Sequence, residues 1–291
     1  MMSFKAFLFT MMASASTTLM ASAHADTLPS IPASCFTYSF HSHQTGENEL
    51  KASGMHASLT GTDITLDVGN ISLKDPQKSV SENQLEHFNA IAAYAALSAF
   101  RGGITPACQG LDATNTLHDI QKGTPEALWA NIKLDRPNHT MTLQRVSIKA
   151  TQTNPLLRLK ISGSGIHDSK QPLIPSSLTT DLSVSPKVGS FQTVTINSFH
   201  SISGESSIDA QGKVDMGSSA ATSKADLHVS INNISAFDDR LHQIAPTKVI
   251  AAIAIARMMG HHSGETTSWD IELEGGTVSV NGVPMPISLP H

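Results

Sequence analysis

Charge, cysteine and long apolar runs are all scarce in this chain, and each shortage excludes something. Only 15% of the residues are charged and the formal net charge is -5, so the clustered basic face of a nucleic-acid binder is absent. Beyond residue 25 no apolar run approaches the ~20 residues that a transmembrane helix needs, so no membrane-spanning helix is expected in the mature chain. Nucleophile signatures are missing as well: Gly163-Ser164-Gly165 lacks the spacing of a nucleophile elbow, and neither S-x-x-K nor H-E-x-x-H occurs. No cofactor is implied. A hydrophobic content of 40% is nevertheless enough to build a core.

The N-terminus carries a signal-peptide pattern. Lys5 supplies a short positive region, Ala6 to Met20 is mainly apolar, and Ala23-His24-Ala25 is an A-x-A cleavage site. Residues 1–25 are therefore read as a signal peptide cut before Asp26. The alternative, an N-terminal membrane anchor, is opposed by Thr10, Ser14, Ser16, Thr17 and Thr18, which interrupt the run. The two cysteines, Cys35 and Cys108, then face an oxidising compartment that allows them to pair. The bridge would close a loop worth ~4 kcal/mol on the chain-entropy model; two buried free thiols are the alternative. Cys35 lies too far past the apolar run to be a lipid-attachment site.

Alternation dominates the rest. Phe36, Tyr38 and Phe40, then Ile64, Leu66 and Val68, follow the period of half-buried strands. Ser81 and Gln84 form a capping box ahead of a helix whose expected inner face is Leu85, Phe88, Ala92, Ala95 and Ala99, widened by Ile91 and Leu97, and which Gly102-Gly103 ends. Thr124-Pro125-Glu126 is expected to make one short helical turn before a strand through Trp129. Asp135-Arg136-Pro137-Asn138-His139 turns the chain into Met141, Leu143, Val146 and Ile148, and the phase slips near Gln144-Arg145 as at a bulge. Further strands run through Leu157, Leu182 and Val194, and Ile202 to Ala210 reads as one arm of an exposed edge hairpin turning at Gln211-Gly212. A short helical piece over 238–244 and a second apolar helix with Pro246 near its start follow, then Trp269 to Leu273 and Val278 to Val280. The order of Gly69-Asn70-Ile71-Ser72, an Ala-rich helix and a Trp strand thus recurs as Asn232-Asn233-Ile234-Ser235, helix and Trp strand. The two tryptophans read as core anchors at equivalent points.

Candidate chemistry is sparse. His41 and His43 stand two apart on an expected strand, and His261-His262 with Glu265 follow a helix end, but nothing in the spacing brings the two groups together as a metal site. Asp270, Glu272 and Glu274 alternate with Trp269, Ile271 and Leu273, which is the pattern of a solvated face and not of two acids across a cleft.

The stretch from Gly204 to Phe237, a strand pair carrying Ala210-x-Gly212-x-Val214 and leading to Ala225–Ile234, is followed by an apolar helix, Trp269-Asp270-Ile271 and the ending Gly276–Pro284. It resembles uncharacterised proteobacterial periplasmic proteins with AsmA-like repeats. The resemblance covers about residues 190–285 and carries no catalytic residues. It implies a Gram-negative envelope location and a curved antiparallel sheet, in some relatives with an apolar channel for lipids.

The reading is an α+β, β-rich fold: residues 26–291 form a single domain of strongly twisted antiparallel sheets with two Ala-rich helices, in two pseudo-duplicated β-β-α-β-β halves, about 34–150 and 190–285. The expected function is non-enzymatic and periplasmic, binding a lipid or acyl chain between helix and sheet against Ile91, Ala95, Val249 and Ile253. An envelope protein–protein module using a sheet edge is the alternative, and an exported hydrolase the third reading. The mass of the exported protein is expected to begin at Asp26 with no titratable thiol; two thiols in denatured, unreduced protein contradict the bridge.

Overall fold

A computed structural model describes residues 34–103, 108, 121–153, 155–171, 173–185, 192–217, 219, 221–242 and 247–285, without the side chains of 45, 247–249 and 251–253. The cleavage expected after Ala25 and the lead-in 26–33 lie outside the described residues. Antiparallel strands make up most of the structure. The chain divides into two compact units, one ending at Lys149 and taking in Asp168–Lys170, the other holding Ala150–His167 and everything from Gln171.

The first unit contains β1 (Phe36–Ser39), β2 (Ser42–Gly46), β3 (Glu49–Leu59), β4 (Thr65–Lys74), helix α1 (Glu82–Arg101), β5 (Glu126–Arg136) and β6 (His139–Gln152) as far as Lys149. The order is β1-β3-β4-β5-β6, with β2 also on β3. In three neighbouring strands the buried positions change phase at one row. Leu50 and Ala52 give way to Met55, Ala57 and Leu59; Leu66 and Val68 to Ile71 and Leu73; Ala127 and Trp129 to Ile132 and Leu134. The residues omitted from the pairing are Gly54, Gly69, Asn131 and Gln144, one to a strand, so the register on either side stays continuous from β3 through β6. The phase slip read near Gln144-Arg145 is the fourth member of this row. Gly54 (φ 61°) and Asn131 (φ 55°) take left-handed conformations there, and a Cβ on Gly69 would lie 2.9 Å from that of Asn131. The row is a crease across the sheet.

The crease also splits the first strand in two. β1 and β2 both pair with β3, above and below Gly54, and the chain between them bends at Phe40-His41, where the His41 amide donates to the carbonyls of Ser53 and Gly54. His41 and His43 therefore do not share one strand, contrary to the expectation.

Helix α1 connects β4 to its neighbour β5 and packs on β3 and β4. Ser81 and Gln84 form the expected capping box, and Gly102 (φ 98°) ends the helix. The inner face differs from the expected one. Leu85, Asn89, Ala90, Ala93, Tyr94, Leu97 and Phe100 are buried, whereas Phe88, Ile91, Ala92, Ala95 and Ala99 are half-buried. The reason is polar: Asn89 is fully buried, its amide donating to Met55 Sδ at 3.3 Å while its Oδ1 accepts from Trp129 Nε1 at 2.8 Å. Before the helix, Asp75 accepts from the amides of Gln77, Ser79 and Val80, and from that of Thr124 at 2.9 Å. Thr124 and Pro125 thus lead straight into β5, and the short helical turn expected there does not form. Cys35 and Cys108 are disulfide-bonded across 73 residues, with Cα atoms 5.0 Å apart.

The second unit holds β7 (Leu157–Ser164), β9 (Ser177–Val184), β10 (Gln192–Ser203), β11 (Ser206–Met216), β12 (Lys224–Asn232), β14 (Thr266–Glu274), β15 (Thr277–Val280) and β16 (Val283–Pro284) in that order, and β13 (His261–Ser263) pairs with β14. β8 (His167–Asp168) crosses the division between the units. The turn between β10 and β11 is at Gly204-Glu205, and β11 lies inside the sheet, so the edge hairpin turning at Gln211-Gly212 is corrected. Gly212 is mid-strand because β12 passes so close that a Cβ would meet the Asp226 carbonyl at 2.1 Å. Between β12 and β14 stand α2 (Ile234–His242) and α3 (Thr247–Met259). Helix α2 begins before the expected 238, because Asn233 caps it by accepting from the Ala236 amide. The two Asn-Ile-Ser runs are therefore not equivalent: Ile71 lies mid-strand opposite Trp129, whereas Ile234 opens a helix.

Both tryptophans are 7% exposed, each on the strand that follows a helix. Replacing Trp129 with Phe leaves the buried Asn89 oxygen without its donor and is expected to cost about 2–4 kcal/mol in urea unfolding; an unchanged midpoint would contradict the assigned role of the indole.

Candidate functional site

Helix α3 is apolar in sequence from Val249 to Ala256, between Lys248 and Arg257. Its last turn is fastened from several directions. Trp269 Nε1 donates to the Ala256 carbonyl at 2.6 Å, Asn281 Nδ2 donates to the Met259 carbonyl at 2.5 Å, and Arg257 reaches Asp238 and Ser235 on α2. Ile234, Trp269 and Val280 form a small buried cluster beneath, with Met259 against it. The opposite stripe is bare: Ala254 is exposed, Ile255 is 53% exposed and Met258 85%. Two large apolar side chains thus stand together in solvent at spacing i, i+3 on one helix face, which makes this stripe the candidate interaction surface.

Of the four expected ligand-contacting residues, Ile91 and Ala95 flank the buried face of α1 and are half-buried. Val249 and Ile253 lie on α3, and their side chains are outside the described residues. Ile255 and Met258 were not singled out by sequence reasoning. The signal was present in the eight-residue apolar run, but an all-apolar helix does not show which side faces outward.

The polar candidates resolve into structural pairs. Asp270 meets His228 Nδ1 at 2.7 Å, Glu272 accepts from Ser279, and Glu274 accepts from Lys224. The Lys224 hydrogen bond holds the Glu274 carboxyl below its ordinary range. All three acids are exposed, and cross-strand pairing accounts for each. His56–Asp67 and His200–Asp209 repeat the exposed cross-strand geometry of His228–Asp270. His43 and His261 are exposed, and His262 Nδ1 contacts Thr267 Oγ1 at 2.9 Å. Among the described residues no group of three or more His, Cys, Asp or Glu is placed to hold a metal ion. No helix there is long and apolar enough to cross a membrane.

One histidine–carboxylate pair is buried. His139, 7% exposed, places Nε2 2.8 Å from both oxygens of Asp168, which is 6% exposed. Its Nδ1 accepts from Arg136 Nε at 3.0 Å. With both ring nitrogens engaged, this pair offers no free base to a substrate hydroxyl, and so lacks the geometry of a nucleophile-activating dyad. It adjoins an open polar groove of about 650 Å³ lined by residues that include Asp63, Asp135 and Ser169. The Thr140 hydroxyl holds the Asp135 carboxyl below its usual range.

Comparison with known proteins adds no identity. No family model, curated protein or solved structure matches the chain.

Asn281 is the clearest lever on the α3 surface. Replacing it with Ala removes the donor to the last turn of α3 and is expected to lower hydrogen-exchange protection of the α3 amides by about tenfold, leaving the β11–β12 amides unchanged. Equal protection in both proteins would contradict the latch.

Proposed function

We propose that the protein is exported to a Gram-negative envelope, where it acts without catalysis and binds an apolar ligand, a lipid or acyl chain, along α3. The observation that carries this reading is the exposed stripe of Ala254, Ile255 and Met258 on a helix fastened through its last turn. Export is supported by the signal-peptide pattern and by the Cys35–Cys108 bridge, a kind of bond that oxidising compartments favour and the cytosol disfavours. The ligand would lie on the outer side of α3. In the first unit Leu50, Leu59, Leu73, Leu85 and Leu97 are fully buried in the helix–sheet layer, whereas the outward flank of α1, with Ile91 and Ala95, offers only half-buried surface.

The two units are further read as copies of one β-β-α-β-β plan. Apart from the inserted β13, the order β3-β4-α1-β5-β6 matches β11-β12-α2/α3-β14-β15, and in each case an indole N–H from a strand that follows the helix donates to that helix. This is what the resemblance to AsmA-like repeats would require.

The sheet-edge alternative has less support. β16 is a two-residue strand containing Pro284, and β1 has only four residues; short and proline-bearing edges resist strand addition.

A chain of about sixteen carbons, half buried at ~0.8 kcal/mol per CH₂, gains ~6 kcal/mol before the costs of association. Binding is accordingly weak, at tens of micromolar or above. Met258→Asp, at a site already in solvent, is expected to leave the circular dichroism unchanged and to weaken binding of a fluorescent fatty acid about tenfold or more. A wild-type protein that binds no acyl probe at these concentrations, or a variant that binds equally well, overturns the reading.

A further inference from the structure

The buried pair at His139 has a feature that stands apart from α3. An arginine Nε–H can only donate, so the 3.0 Å contact from Arg136 obliges His139 Nδ1 to accept. The ring proton of the neutral form must then sit on Nε2, pointing at the Asp168 carboxylate, which also accepts from the Lys170 amide at 2.7 Å. Arg136 is meanwhile placed over the Phe100 ring, 5.1 Å from its centroid, and the His139 ring is 4.7 Å from the same phenyl. The segment holding Asp168 is fixed independently of these charges. The Ser169 amide donates to the Thr140 carbonyl and the Thr140 amide to Ser169 Oγ, both at 2.9 Å.

This arrangement admits only one protonation state of the imidazole. A second proton would go to Nδ1 and would face the Arg136 Nε–H at hydrogen-bond distance, donor against donor and cation against cation. Asp168 would hold its side of the ring more strongly in that state, since the bond becomes charge-assisted at both ends. Arg136 is the partner that must yield, being half-buried whereas Asp168 is enclosed. A destination is at hand, because Arg136 borders the open groove together with Asp63 and Asp135. The charged residues on the elements packed against the ring are Arg136 and Asp135 from β5, Asp168 and the exposed Lys170 from the segment on β6, Asp63 from the turn before β4, and Arg101 at the end of α1, whose guanidinium donates to the Gly103 carbonyl.

We infer that His139 is a proton-operated switch. When neutral it bridges Arg136 to Asp168 and keeps the guanidinium on Phe100; when protonated it retains Asp168 and releases Arg136 into the groove bordered by Asp63 and Asp135. Acidification thereby frees the guanidinium toward the Asp63 and Asp135 carboxylates of the groove it already borders, while the backbone clasp between Thr140 and Ser169 stays closed.

Nitrogen-15 NMR of the full mature chain tests this without any ligand. At neutral pH the His139 ring is expected as the Nε2–H tautomer. As the pH falls, the Arg136 Nε–H signal is expected to shift and lose its protection from solvent exchange with the same midpoint as the His139 ring, while the Ser169 amide stays protected. His139→Gln retains an acceptor for Arg136 and a donor for Asp168 but cannot titrate, so its Arg136 signal is expected to stay constant over that range. An Nδ1–H tautomer at neutral pH, an Arg136 signal unmoved as His139 titrates, or no titration of His139 before the protein unfolds would each overturn the switch. So would an Arg136 signal that moves equally in the variant. If the variant fails to fold, the tautomer and the shared midpoint in the wild-type protein decide the matter alone.

Discussion

In each unit a tryptophan N–H on the sheet donates to a helix packed over it. Trp129 donates to the Asn89 side chain in the middle of α1, and Trp269 donates to the backbone carbonyl of Ala256 in the last turn of α3. The point of attachment differs between the two helices, and so does the surface each leaves bare. Held at its middle, α1 lies with Leu85, Ala93, Leu97 and Phe100 buried along its length. Fastened through its last turn, α3 leaves Ile255 and Met258 in solvent. A buried donor such as an indole needs its partner, so each contact constrains where its helix can sit, and the difference in partner corresponds to a difference in exposed apolar surface.

The crease is the second constraint on the first unit. An extra residue in a single strand would shift the register of every later pair, but one extra residue in each of four adjacent strands shifts none. The bend therefore leaves the ladder intact on both sides. Gly54 and Gly69 permit it sterically, since each would carry a Cβ within 3 Å of a neighbouring side chain. Asn131 takes the left-handed conformation that asparagine tolerates better than most residues. Because apolar positions switch face at the crease, both halves of the sheet direct buried side chains inward, and the helix contacts β3 and β4.

Several of these features were legible in the sequence because their signals are local. The capping box at Ser81 and Gln84, the turn at Pro137-Asn138, the phase slip near Gln144-Arg145 and the burial of both tryptophans each rest on residues a few positions apart. With two cysteines only one pairing exists, and the structure forms it. The features that escaped depend on partners distant in sequence. Strand β3 was missed because the crease cuts its alternation into Leu50 and Ala52, then Met55, Ala57 and Leu59, each too short to stand out. The buried face of α1 was displaced because His87, Asn89 and Ser98 interrupt the apolar stripe, and the burial of Asn89 depends on its hydrogen bonds to Met55 and Trp129, residues far away in sequence. Gly212 resembled a turn but answers to the backbone of β12. The His139–Asp168 pair joins residues with no common motif, and the exposed stripe of α3 is hidden in a run that is apolar on every side.

The central functional claim is that the bare side of α3 is completed by an apolar molecule. Native mass spectrometry of the protein purified from its own cells, without detergent, tests that most directly. The account predicts a population heavier than the mature chain by the mass of a lipid or fatty acid, which collisional activation releases. A single species at the mass of the mature chain, from preparations in which known lipid carriers retain their cargo, would contradict it.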